Sequence, residues 1–500
     1  MTDAAARLPA SASSSARSTT HRRDLVRSWA PRIALAALAV VAFALHFRPW
    51  EVAFLEEWPI AELWDKVGLG GTIDNYAQWS LSRPLHLVLT LVGLAIGGGS
   101  PAGIFAVMGV VAAATAALTV WALRPLSRSP WVSLAVAAFV ALHPLFPGGY
   151  LQRFLPAQTA VLTFVVAAGF LIRWLLDGRR RWMAATFAVL IAGLCVYPGT
   201  AAAAPLLAVA VALSIPSSWR RRIVAVVVVV AASALMTVYS LVITKLIAPG
   251  GETYEAGNIA QGGVHGPRDF VERIGSTLIG SGLTVVAAVI AVAALGAVLA
   301  LSGAVPHPVG WLITATALVS PLCTVVFFGN VAWLADIDRI EYATSLGLTA
   351  ALMLWPIGMS GLRLRPLAVI AAVVILVSVV GGVRGVRHWQ PYIALQHQLF
   401  QELKPAVEQA HGDEIVVVVD HSGTFGAIYT LPQHYISSAS HIMNDDATPV
   451  WLCYEKGDPV TGGSTLCATA DTGRDPRFVS SYDLPGGEVD IYIGKPESDD

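Results

Sequence analysis

Two adjacent carboxylates stand in Phe54-Leu55-Glu56-Glu57-Trp58, a few residues beyond an apolar run at about 33–48. A carboxylate held at an apolar boundary binds its proton more tightly than one in water. That suits a general base, which takes the proton of a hydroxyl as it attacks an electrophilic carbon. The same pair also fits an ordinary solvated interface, and it can hold a divalent cation. The stretch closes on Gln78-Trp79-Ser80-Leu81-Ser82-Arg83-Pro84-Leu85, and a second isolated arginine follows in Tyr150-Leu151-Gln152-Arg153-Phe154. A guanidinium fork grips a phosphate bidentately; snorkelling at an interface or pairing with a loop carboxylate is the other use of such a residue.

Two further polar loops carry candidates. Residues 249–273 hold Glu252, Glu255, His265, Arg268 and Arg273 among glycines, and residues 330–341 hold Asp336, Asp338, Arg339 and Glu341. Both read as lids over a site or as solvated connectors. Arg339, with acids on both sides, is a cation that flanking carboxylates can orient toward a lipid phosphate. His46, His86 and His143 have no second ligand at metal spacing and read as packing residues. Trp50, Trp58, Trp64 and Trp79 read as membrane-interface anchors that can double as sugar-stacking platforms.

These residues must be positioned by elements suited to lipid. The chain of 500 residues is 55% hydrophobic and 13% charged, against roughly 25% charged residues in soluble domains. Apolar runs near the roughly 20 residues that cross a bilayer occur at about 33–48, 101–123, 130–146, 157–176, 182–199, 200–216, 223–247, 274–302, 309–329, 342–361 and 366–383. About eleven transmembrane helices are therefore expected. Basic loops at Arg124 to Arg128, Arg179 to Arg181, Arg220 to Arg222 and Arg363 to Arg365 belong in the cytoplasm by the positive-inside rule. All four fall there if the amino terminus is cytoplasmic and residues 84–98 lie in the interface or re-enter instead of crossing. The Glu56-Glu57 pair, Arg83, Arg153 and Arg339 then share the outer side, where arginines are disfavoured without a purpose.

The termini differ in charge. Residues 1–32 hold six arginines against two acids and read as a disordered, basic cytoplasmic tail, while residues 390–500 hold five basic residues against seventeen acidic ones. The expected division is a tail at 1–32, a transmembrane domain at 33–383 and an extracytoplasmic α/β domain at 384–500. In that last part a helical run at 391–410, a buried strand at 415–419 and a closing strand at 489–493 are expected. Cys453 and Cys467 are close enough to close a disulfide loop in an oxidising compartment; Cys195 and Cys323 lie in apolar runs. No phosphate-binding glycine loop, zinc spacing or basic aromatic patch occurs, so neither nucleotide nor nucleic acid is an expected partner.

The acid-acid-Trp opening, Trp79 and the Ser82-Arg83-Pro84-Leu85 close, followed by arginine-bracketed spans, resemble the GT-C class of polyprenyl-phosphate-sugar-dependent glycosyltransferases. The likeness is greatest to the bacterial O-antigen glucosyltransferase-like branch and covers roughly residues 33–220. This chain has Glu-Glu where that branch commonly has Asp-Asp, and Ser82 where it has glycine. The resemblance implies a polyprenyl-phosphate-linked sugar as donor, reached from the membrane lipid, and a cell-envelope glycan or protein as acceptor. It implies Glu56 or Glu57 as base, Arg83, Arg153 and Arg339 on the leaving phosphate, and inversion by single displacement, in the plasma membrane. With no recognisable metal-ligand set in the sequence, a metal-independent reaction is expected, the acidic pair alone being able to hold a divalent cation. A non-enzymatic scaffold or inactive relative, and a lipid-linked glycan transporter, are the competing readings; the transporter lacks the internal repeats expected of it.

Overall fold

The computed structural model describes residues 14–50, 57–247, 268, 269, 271, 272, 275, 282–303, 307–323, 337–359, 364–423, 433–445, 448–454, 465–466 and 474–495. The chain is mostly helical. In order come α1 (Ser14–His46), α2 (Glu57–Trp79), α3 (Val88–Ile96), α4 (Ala102–Leu123), α5 (Pro130–Leu142), α6 (Leu155–Asp177), α7 (Arg180–Val196), α8 (Ala203–Ser214) and α9 (Trp219–Val238). Then follow α10 (Gly282–Leu301), α11 (His307–Val319), α12 (Ile337–Leu352), α13 (Leu364–Gln409) and α14 (Gln433–Asn444). A helix lies in each of the eleven apolar runs, and among the described residues six are long and apolar enough to cross a membrane by length and composition. The other five, α5, α7, α8, α11 and α12, have 13, 17, 12, 13 and 16 residues. At 1.5 Å per residue they reach only about 18–26 Å, short of a hydrocarbon core of about 30 Å.

Valines, leucines and isoleucines stand exposed on α9, α10 and the first half of α13, among them Val227, Val230, Ile290, Val298, Val373 and Leu376. Rows of apolar side chains this large are stable against lipid and costly against water. The bundle has two chemically distinct ends. At one, Arg173 donates to Trp121 O at the end of α4 (2.9 Å), and Trp174 Nε1 donates to Arg221 O at the start of α9 (3.3 Å). The basic loops that follow α4 and α6 and precede α9 are thereby gathered together. Residues 84–98 contribute α3, nine residues long and too short to cross a bilayer.

Two sequence boundaries differ from the expected ones. α1 begins at Ser14, inside the stretch expected to be a disordered tail. The last apolar run and the helix expected at 391–410 form one helix, α13, 46 residues long and with Pro391 and Pro405 inside it. It extends roughly 69 Å and leads through the short turn at 410–414 into the carboxy-terminal sheet. Gly381, Gly382 and Gly385 face the loop after α5: a Cβ on them would lie 2.5 Å from Pro144, 2.6 Å from the Tyr150 hydroxyl and 2.6 Å from the Tyr150 ring. Small residues here allow the close approach, as in other helix seams within membranes.

The carboxy-terminal sheet has strands β1 (Ile415–Asp420), β2 (Val450–Tyr454), β3 (Thr465–Leu466), β4 (Arg474–Leu484) and β5 (Gly487–Lys495), in the order β3-β2-β1-β5-β4. β1 runs parallel to β2 and antiparallel to β5. Val416 and Val418 join the main core, while Ile415, Val417 and Val419 form a cluster with Cys453 and Tyr492 on the other face. Burial on both faces explains the uninterrupted valine run. Cys453 is disulfide-bonded and Cys195 and Cys323 are free; Cys467 lies outside the described residues.

Candidate functional site

The end of the bundle opposite the basic loops carries the candidate residues. Glu57 is the first residue of α2 and is buried, 4% exposed. One turn on, Ile60 and Ala61 pack with Phe105 and Leu155, so the start of α2 is fixed against α4 and α6. Trp58 is buried as well, and its ring meets Phe400 of α13 edge-on at 5.7 Å. Its ring is thus not exposed in the way expected of an interface anchor or a stacking platform. The carboxy-terminal part of the chain covers it. Gly68, with φ of 67°, breaks α2 at mid-length in a conformation that suits glycine.

Arg83 lies in the turn between α2 and α3, and its guanidinium sits 5.6 Å from the Tyr197 ring centre. The turn is fastened to the end of α7: Leu85 N donates to Cys195 O (3.1 Å) and His86 Nδ1 lies 3.0 Å from Val196 O. Arg153 belongs to the 3-10 turn Gln152–Phe154 and stands 5.1 Å from the Phe154 ring. A row of rings links the two arginines. Phe154 meets Phe146 (5.0 Å), Phe146 meets Tyr342 (5.4 Å), and Tyr342 meets Tyr197 (5.5 Å). Tyr342 is one turn beyond Asp338 and Arg339, which fall in the first turn of α12, and its hydroxyl donates to Ala157 O at 3.1 Å. Segments carrying residues 83, 153 and 339 thus meet around one aromatic row.

Arg48, which the sequence reading did not single out, is buried just beyond α1 and donates to Tyr150 O. Its guanidinium lies over Phe105 (5.6 Å) and Tyr150 (5.9 Å). The criterion that selected Arg83 and Arg153, an arginine at the end of the bundle away from the basic loops, applies to it equally. Beside it the His46 ring stacks on Tyr150 at 4.6 Å and meets His143 edge-on at 6.0 Å. A small crevice lies next to this group and is lined by His143, Phe146, Val161, Tyr342, Ser345 and Thr349.

The sheet domain contributes a second set of contacts to α2. Ser438 of α14 donates to Glu62 Oε2 at 2.5 Å, and His441 Nε2 lies 3.4 Å from Asp65 Oδ2. Burial pushes the Glu62 carboxyl up, but hydrogen bonds from Lys66 and Ser438 outweigh it and hold the group below its ordinary value.

Glu56, His265 and Asp336 lie outside the described residues, as do the side chains of Trp79, Asp338 and Arg339. Among the described residues no group of three or more His, Cys, Asp or Glu is placed to hold a metal ion. Fold and site together define a mostly helical protein with several helices long and apolar enough to cross a membrane, a small sheet domain that contacts α2, and arginines and a buried acid at the end of the bundle away from the basic loops. The chain matches no protein-family model and no curated protein.

Proposed function

We propose that the chain is a membrane glycosyltransferase that moves a sugar from a polyprenyl-phosphate donor to a cell-envelope glycan or protein acceptor. The observation that carries this reading is the meeting of the Arg83, Arg153 and Arg339 segments around one row of rings, at the bundle end where Glu57 is buried. In the reaction the acceptor oxygen forms a bond to the anomeric carbon as the bond from that carbon to the phosphate oxygen breaks. The acceptor proton passes to the carboxylate of Glu57 or Glu56, and the electron pair leaves with the phosphate. Guanidinium groups at a site shielded from water stabilise the charge that develops there. A single displacement of this kind inverts the anomeric centre.

The arrangement also accounts for the membrane parts. A donor with a long isoprenoid tail enters laterally between apolar helices, and the basic loops at the opposite end set the cytoplasmic side. On this reading all eleven helices belong to the membrane domain, the shorter ones traversing it within the bundle, and the sheet domain faces the acceptor.

The test uses the full chain in lipid nanodiscs with radiolabelled polyprenyl-phosphate hexoses and a crude envelope acceptor fraction. Release of label from the lipid by the wild type, abolished in Arg83→Ala, supports the reading. Donor binding without release under any acceptor condition refutes it and leaves a scaffold or transporter.

A further inference from the structure

α9 does not end as a regular helix. It passes through a π turn, Tyr239–Ile243, and then a last helical turn, Thr244–Ile247. In an α-helix, consecutive side chains diverge by about 100° and do not face a common neighbour. Here two consecutive residues reach two consecutive carbonyls of one turn: the Tyr239 hydroxyl donates to Leu81 O (3.0 Å) and the Ser240 hydroxyl to Ser82 O (3.1 Å). The Thr244 hydroxyl in turn donates to Ser240 O at 2.6 Å, which occupies a carbonyl of the widened turn. π turns are rare and recur where a helix must present groups to a site.

The tethered residues, Leu81 and Ser82, immediately precede Arg83. With the bonds from residues 85 and 86 to the end of α7, the turn is held from two sides, and Arg83 projects between them over Tyr197. Ser82 adds an independent sign of a ligand. Its side chain is 2% exposed and its hydroxyl has no hydrogen-bond partner among the described residues, a state that buried polar groups rarely keep unless something else fills it.

We infer that Tyr239 and Ser240 are positioning residues which hold the Ser82-Arg83 turn in the conformation that binds the phosphate of a polyprenyl phosphate. The inference rests on the reading of Arg83 as a phosphate ligand and adds the device that preorganises it. A guanidinium fixed in advance loses less freedom on binding than one that must be ordered by its ligand.

The experiment measures the binding of a synthetic polyprenyl phosphate and of the uncharged polyprenol to the full chain in nanodiscs. The variants are Tyr239→Phe with Ser240→Ala, Ser240→Thr, and Arg83→Ala. The double variant is expected to weaken phosphate binding about tenfold, as for loss of two modest hydrogen bonds, while polyprenol binding stays unchanged and Ser240→Thr retains wild-type affinity. A purely structural role would weaken both ligands together, and that outcome overturns the inference. So does wild-type phosphate affinity in the double variant when Arg83→Ala loses it, a result that leaves the reading of Arg83 intact. Unchanged phosphate binding in Arg83→Ala removes the reading and the inference together. If the double variant does not fold, Tyr239→Phe alone, at a half-buried ring, is judged by the same comparison.

Discussion

Trp58 gives the sharpest prediction about how the sheet domain is held. The indole is 1% exposed against Phe400, and removing a buried side chain of this size costs about 3–5 kcal/mol. Its Nε1 is buried without a hydrogen-bond partner among the described residues, so Trp58→Phe, which removes that donor along with some volume, is expected to cost no more than about 1.5 kcal/mol. In native-state hydrogen exchange the larger loss reads as a fall of at least about a hundredfold in amide protection across the α2 and α14 contact. The smaller reads as about tenfold or less. A double-mutant cycle with Phe400→Ala should give a coupling of about 0.5–1.5 kcal/mol, as for other edge-on aromatic pairs. Equal, near-neutral effects of Trp58→Ala and Trp58→Phe would refute the docked arrangement.

Gly385→Ala gains about 1 kcal/mol of helix propensity, but its Cβ would lie 2.6 Å from the ring of Tyr150, a residue with no exposed surface and with its hydroxyl bonded to Leu142 O; a net loss of about 1–2 kcal/mol is expected in thermal denaturation. Glu62 is held below its ordinary value of 4.5 by Lys66 and Ser438, against the opposing effect of burial, so its contribution to docking is full above pH 4.5 and fades as pH falls through the depressed value. Hydrogen exchange in α14 should show that decline, and Glu62→Gln should flatten it. Ser82→Ala removes a buried hydroxyl without a partner among the described residues and is expected to leave thermal stability unchanged or raised while weakening polyprenyl-phosphate binding several-fold.

The helices of the apolar runs were legible in the sequence because apolar length marks them, and β1 because its valines run without interruption; α2 and α14, which have no such run, were not. Nor were helix lengths, since a run such as 200–216 starts at the end of the 3-10 turn Pro198–Thr200 and has irregular ends that leave only twelve residues in α8. The continuity of α13 was not legible either: the run at 366–383 and the helix at 391–410 read as separate elements, whereas one helix joins them and its Gly381 and Gly382 serve the close approach of Pro144 and Tyr150. For the site, the side of the bundle on which arginines stand pointed to Arg83 and Arg153, and the same rule applied to Arg48 would have found it. The ring row through Tyr197 and Tyr342, the burial of Trp58 and the π turn are products of contacts between segments about 145 to 340 residues apart. No local pattern of residue types encodes them.

The most direct test of the central claim is single-turnover transfer from a radiolabelled polyprenyl-phosphate hexose in nanodiscs by the wild type, Glu56→Gln and Glu57→Gln, with donor affinity measured in parallel. Loss of a general base is expected to slow transfer by about 10²–10⁴-fold in one of the two variants, with donor binding unchanged. Transfer at the wild-type rate in both, or no transfer by the wild type with any hexose, would contradict it.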